Sequence, residues 1–228
     1  MKQCLLKNWA RLTAVVIPLC LLSMSLALAA QPLSAQLLTS AVTDPIGDAS
    51  AVTPAVAPLG YQDIVNASVT LKDGRFVFVM DVASAIPSSP PLPHGVNLLE
   101  WSFRLRTDLS TCAFGFPFPP ARSTASPELT HCSQYMVFVV WDGTGYVGML
   151  VDRTRTVTGD VVVMPISFSI DFDRGEITAS VESSKINAPE SFRWISRTQT
   201  WFGQLGTIGY LVVDAAPAEG TFATWPNN

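Results

Sequence analysis

Asp44-Pro45-Ile46-Gly47-Asp48 and Asp63, which opens an apolar run, are the residues whose type and spacing best suit a defined chemistry. Carboxylates are hard oxygen donors, and calcium takes roughly six to eight such oxygens. Asp44, Asp48 and Asp63 can supply three of them, so a structural calcium ion is one reading of the cluster. The other is turn and cap chemistry, in which each Asp bonds its own downstream backbone and Pro-x-Gly sets the bend. A second carboxylate pair, Asp171 and Asp173, lies two residues apart beside a turn. Such a pair can do acid/base work, or it can be the solvated end of a hairpin.

Other catalytic signatures are missing. Beyond the first thirty residues the only histidines are His94, in a Pro-rich stretch, and His131, beside Cys132. There is no HExxH or GxSxG, which removes the zincin and serine-hydrolase readings. Gly143-Thr144-Gly145-Tyr146-Val147-Gly148 fits GxGxxG, but a dinucleotide site needs a helix next. Met149-Leu150-Val151-Asp152 reads as strand, so the glycines predict a hairpin turn.

The first thirty residues read as a signal peptide. Lys2, Lys7 and Arg11 form a basic start, an apolar run follows, and Ala27-Leu28-Ala29-Ala30 offers a cleavage site. Cleavage removes three cations and no acid, moving the net charge from −4 to −7. No later segment is long and apolar enough to span a membrane. The expected location is secreted or periplasmic/extracellular. Acidic balance without clustered Lys or Arg argues against nucleic acid as partner. Cys4 and Cys20 leave with the signal, so Cys112 and Cys132 are expected to pair in an oxidising compartment. The bridge would close a loop of about twenty residues and contribute about 3 kcal/mol.

The elements that must position these groups are strands. Residues 31–60 are rich in Ala, Pro, Ser and Thr and read as a flexible lead-in. From Ile64 the periodicity is two, with Val65, Ala67, Val69 and Leu71 on one phase. Asp73-Gly74 marks a tight hairpin. Trp101, Phe103 and Leu105 alternate with Ser102, Arg104 and Arg106, and residues 135–141 form a continuous apolar run. Met164, Ile166, Phe168, Ile170 and Phe172 alternate as a further strand, and residues 177–181, 192–202 and 208–213 complete the set. Only residues 184–191 could hold a helical turn. About nine or ten strands at regular spacing predict one all-β domain over residues 61–228: a single antiparallel β-sandwich with one disulfide-pinned long loop.

These residues also carry a resemblance. Asp44-Pro45-x-Gly47-Asp48, Tyr61-Gln62-Asp63-Ile64, Asp73-Gly74, Ile86-Pro87 and the ending Val213-Asp214-Ala215-Ala216-Pro217-Ala218-Glu219-Gly220 resemble exported bacterial β-sandwich domains. Those domains lie near the DOMON-like and family-nine carbohydrate-binding-module group. The resemblance implies a module that binds sugar or haem, or an accessory role. The haem branch uses axial Met and His, and Met80, Met136, Met149 and Met164 align with His94 or His131 on no motif. A sugar site would need exposed aromatic rings. Trp225, Tyr146 and Trp201 are the candidates, with Trp225, before Pro226, expected to be the most exposed. Trp101 and Trp141 fall in phase with core positions. The expectation is therefore a non-catalytic binding or surface-associated module whose partner is a polysaccharide. The alternative is a ligand-free structural or interaction protein that meets another envelope protein.

Overall fold

The computed structural model describes residues 38–51, 57–92, 96–107, 133–154, 161–202, 209–218 and 221–227. Structural statements below refer to those residues. The first thirty residues, expected to be a signal peptide, and His94, His131, Cys112 and Cys132 with their expected disulfide lie outside them. The described strands, in chain order, are β1 (Leu38–Thr43), β2 (Ser50–Ala51), β3 (Ile64–Lys72), β4 (Arg75–Val82), β5 (Val96–Arg106), β6 (Tyr135–Trp141) and β7 (Tyr146–Asp152). They continue with β8 (Val162–Pro165), β9 (Ser167–Asp171), β10 (Glu176–Glu182), β11 (Phe192–Phe202), β12 (Gly209–Ala216) and β13 (Ala223–Trp225). Two 3-10 turns, Gly60–Gln62 and Ser183–Ile186, interrupt them. The second falls where the sequence allowed a helical turn. No described helix is long and apolar enough to cross a membrane.

Two antiparallel sheets pack face to face, as expected for a β-sandwich. The smaller runs β1-β3-β4-β10-β9. The larger runs β2-β12-β11-β5-β6-β7-β8, with β13 also paired to β11. Period two assigns the faces. From the smaller sheet Ala67, Val69, Phe76, Phe78, Met80, Ile177, Ala179 and Val181 turn inward. From the larger sheet Leu99, Trp101, Phe103, Leu105, Tyr135, Val137, Val139, Trp141 and Trp194 meet them. Asp73 and Gly74, with φ of 51° and 73°, form the tight β3-β4 turn that Asp-Gly predicts.

Several elements differ from the sequence reading, β2 in the expected lead-in and β13 near the end among them. Residues 38–43, read as part of the lead-in, form edge strand β1, with Leu38 opposite Leu71 and Thr43 opposite Asn66. A single inward residue, Ser40, is fully buried there, so backbone pairing makes the strand and apolar alternation does not. The run Met164 to Phe172 keeps its alternation but changes sheets. β8 pairs with β7 in the larger sheet, and β9 pairs with β10 in the smaller. Ile166 joins them, and its N–H donates to the Gly148 carbonyl at 3.2 Å.

Gly148, the last glycine of the GxGxxG match, is where that crossing segment comes closest. A Cβ there would lie 2.5 Å from Phe168 Cδ1 and 3.1 Å from the Ile166 carbonyl oxygen. Tyr146–Asp152 is strand, and Asp142 Oδ1 accepts from the Thr144 and Gly145 amides at 2.8 and 3.0 Å. The glycines thus serve a hairpin and a strand crossing. Gly148→Val is expected to cost about 1–3 kcal/mol through overpacking, read as a lower urea midpoint at unchanged m.

Candidate functional site

Asp44, Asp48, Asp63 and Asp214 converge between the two sheets at one end of the sandwich. β1 delivers Asp44, whose N–H donates to the Val65 carbonyl at 2.8 Å. Pro45 to Gly47 turn the chain, and the Gly47 amide donates to Asp63 Oδ2 at 2.8 Å. That bond ties the Asp44–Asp48 loop to the head of β3. Asp63 itself follows the Gly60–Gln62 turn, and its carbonyl accepts from the Ala83 amide at 2.8 Å. Asp214 sits on β12 opposite Thr198, on the face turned toward the core. Its Oδ2 accepts from the Ile64 amide at 2.6 Å and its Oδ1 from the Ala215 amide at 2.8 Å. The smaller sheet therefore contributes Asp44 and Asp63, and the larger contributes Asp214.

The electrostatics are unfavourable without a counter-charge. Asp44, Asp63 and Asp214 are 8%, 5% and 5% exposed, and Asp48 lies at the surface. One carboxylate oxygen each from Asp44, Asp48 and Asp214 lie within 4.8 Å of one another. None of the ion pairs between described residues involves these four side chains. Burial, then the charges of Asp214, Asp48 and Asp63, raise the Asp44 carboxyl to about 7. Burial likewise raises Asp214 to about 6, against the pull of its two backbone bonds. Asp44 Oδ2 and Asp63 Oδ1 are buried with no hydrogen-bond partner. Backbone donors thus hold Asp214 and one side of Asp63, while two further oxygens are left bare.

The donor set fits a hard divalent cation. Calcium–oxygen distances of about 2.4 Å place opposed ligands about 4.8 Å apart, the scale of the cluster. Sequence spacing suggests Asp44, Asp48 and Asp63; the structure sets Asp44 and Asp48 with Asp214, while Asp63, bonded to the Gly47 amide, lies beside the group and outside its 4.8 Å span. Asp214 joins them from far along the chain. Its signal is a single carboxylate between the apolar residues Leu211-Val212-Val213 and Ala215-Ala216.

The aromatic candidates fare differently. Trp225, expected to be exposed, is 2% exposed. Its ring stacks on Phe192 at 5.2 Å and meets Phe76 edge-on at 4.7 Å, and its Nε1 donates to the Leu38 carbonyl at 3.2 Å. It is a core residue because three-residue strand β13 pairs Trp225 with Phe192. Tyr146 is half-buried against Trp141 at 4.9 Å, and its hydroxyl donates to the Pro87 carbonyl at 2.7 Å. Its ring thus packs among Trp101, Trp141 and Phe172. Trp201 is half-buried on the outward face of the larger sheet, with Nε1 donating to Glu100 Oε2 at 2.5 Å. Trp101 and Trp141, at 3% and 6% exposure, are core as their phase predicts. Asp171 and Asp173 are both exposed, and Asp171 Oδ1 accepts from the Arg174 amide at 3.1 Å, the geometry of a hairpin end.

Fold and site together define a two-sheet all-β sandwich with a buried inter-sheet aspartate cluster. No family model matches the chain, and no curated protein matches it.

Proposed function

We propose that this protein is a non-catalytic exported module, a β-sandwich stapled by calcium, that works by binding rather than by chemical turnover. The observation that supports the cation is the aspartate cluster, with its two bare buried oxygens and no described counter-cation. Asp44, Asp48 and Asp214 would hold the ion, with Asp63 beside them, and it would lock the end of β1 in one sheet to β12 of the other. The ion has a structural role in this reading. Export follows from the basic-apolar-small order of the first thirty residues.

The exported module's partner is a polysaccharide or another envelope protein. The burial of Trp225 and the engagement of Tyr146 leave Trp201 as the sole sequence-nominated ring for sugar stacking, which weakens the polysaccharide reading. A ligand-free envelope role gains accordingly. Retention on a polysaccharide column that Trp201→Ala abolishes would restore the sugar reading.

The cation is tested by thermal melting of the purified chain after chelation and with calcium added back. At a calcium concentration of about a hundred times Kd the stabilisation is about 2.7 kcal/mol, which is about 5–10 °C for a chain of this size. Asp48→Asn, at the exposed member of the group, is expected to cut that rise by more than half. An unchanged midpoint in the parent chain would return the aspartates to turn chemistry.

A further inference from the structure

The aspartate cluster has an open side. Asp44 and Asp214 are covered, but Pro45, Ile46, Gly47 and Asp48 are all exposed, Ile46 at 72%. A Cβ on Gly47 would meet nothing within 4 Å, so free space borders the loop that carries Asp44 and Asp48. Asp48 therefore joins the group of carboxylates from the solvent side. Asp44 Oδ2 and Asp63 Oδ1 are buried without a hydrogen bond, a rare condition in a folded protein and one that calls for a ligand.

The described carboxylates do not fill the shell of a calcium ion, which takes roughly six to eight oxygens. Asp214 already gives Oδ2 to the Ile64 amide at 2.6 Å and Oδ1 to the Ala215 amide at 2.8 Å, which disfavours chelation through both oxygens. Asp63 Oδ2 accepts from the Gly47 amide at 2.8 Å, beside the group. With one oxygen from Asp214 and up to two from each of Asp44 and Asp48, the supply is about five. The remaining positions fall to water, or to a ligand that arrives on the exposed Asp48 side.

We infer that the ion, where the calcium reading holds, also binds a neutral sugar through two neighbouring ring hydroxyls. Charge selects this ligand class. Asp44, Asp48 and Asp214 outweigh a divalent ion by one negative charge, and Asp63 beside them adds another. A phosphate, sulfate or carboxylate would enlarge that excess. An ammonium has no lone pair to give the ion. A hydroxyl is neutral and supplies an oxygen, and a second hydroxyl on the next carbon binds without a further loss of translational freedom. A sugar ring also has an apolar C–H face. Ile46, in the loop between Asp44 and Asp48, is the most exposed large apolar residue described and offers that face a surface to cover. An exposed loop admits a unit within a polymer, so this site supplies the polysaccharide contact that the packing of Trp225 and Tyr146 withholds.

The test is retention of the purified chain on immobilised mannan, galactan and glucan, in calcium and then in chelator, with immobilised dextran sulfate as the anionic control. Retention on at least one neutral polysaccharide in calcium, release by chelator and no retention on dextran sulfate are expected. Ile46→Ser is expected to weaken retention severalfold while the calcium-induced rise in melting midpoint stays as in the parent. Circular dichroism checks that the chelated chain is folded. Should chelation unfold it, Ile46→Ser, which keeps every carboxylate, decides the matter. No retention on any of the three polysaccharides, by a chain whose midpoint still rises with calcium, would overturn this inference and leave the cation reading standing. No rise with calcium would overturn both. Retention that survives chelation of a folded chain, undiminished retention of Ile46→Ser, or retention on dextran sulfate would also overturn it.

Discussion

Stripped of divalent cations, the protein is expected to be more stable at about pH 5 than at about pH 8. Asp44 and Asp214 titrate near 7 and 6 in the folded chain, against an ordinary aspartate value of 3.8. A raised carboxyl holds its proton more tightly in the folded state than in the unfolded one. Its contribution is therefore full below about pH 3.8 and is lost as pH rises through 6 and then 7. In the proposed reading calcium would substitute for those protons, so a calcium-bound chain is expected to behave in the opposite sense. The calcium-induced rise in midpoint is expected to be greatest at about pH 8 and to shrink toward zero by about pH 5, as protons compete for the oxygens. Calorimetry across that range, in chelator and in calcium, checks both slopes. Asp44→Asn is expected to flatten the chelator curve above about pH 6 and to remove most of the calcium effect. A chelated parent chain that gains stability from pH 5 to pH 8 would contradict the burial and repulsion argued for these two groups.

Trp225→Ala is expected to cost about 3–5 kcal/mol of stability, the range for removing a large buried aromatic. The indole fills the space between Phe76 and Phe192 and ties β13 to the Leu38 carbonyl. Its loss opens a cavity and leaves that carbonyl without its donor. Guanidinium unfolding would show a midpoint lowered at nearly constant m. Trp201→Ala, at the outward face, is expected to cost much less. If the two variants melted alike, or if Trp225→Ala kept full stability, the core placement of Trp225 would be wrong.

The central strands were legible because burial on one face and hydration on the other writes period two into them, as in β3, β4 and β10. Edge strand β1 was not, since only Ser40 of its six residues is buried and backbone pairing with β3 is what makes it a strand. The segment holding β8 and β9 kept one unbroken alternation because both halves face the same interior. The one local mark of the change of sheet at Ile166 is Pro165, which ends β8 without a ladder donor. The site was half legible. Asp44 and Asp48 share one loop and Asp63 lies close by, so spacing found them. Asp214 reaches them only through the packing of the sheets. Trp225 was misjudged because Pro226 and its position near the chain end read as tail, while three residues of pairing suffice to bury it. The buried outward residues of β5 were least visible. Glu100, Ser102 and Arg104 have the period of solvated residues, and their burial is a tertiary property.

The clasp between β1 and the last described strand bears on how the chain acquires its structure. Trp225 Nε1 bonds Leu38, the Asn227 amide reaches the Thr39 carbonyl at 3.5 Å, and Ser40 Oγ donates to Asn227 Oδ1 at 3.0 Å. Trp194 Nε1 donates to the same Ser40 hydroxyl at 3.0 Å. The earliest strand is thus completed by residues more than 180 positions later, with separations of 187 for two of these bonds. Closing so long a loop must precede any gain from the contacts it brings, which makes folding slow. A partially synthesised chain that lacks β11 to β13 keeps β5 to β8 of its larger sheet but lacks the strands beyond β5 and the residues that clasp β1. Such a chain remains pliable until its final segment emerges, then closes as one cooperative unit.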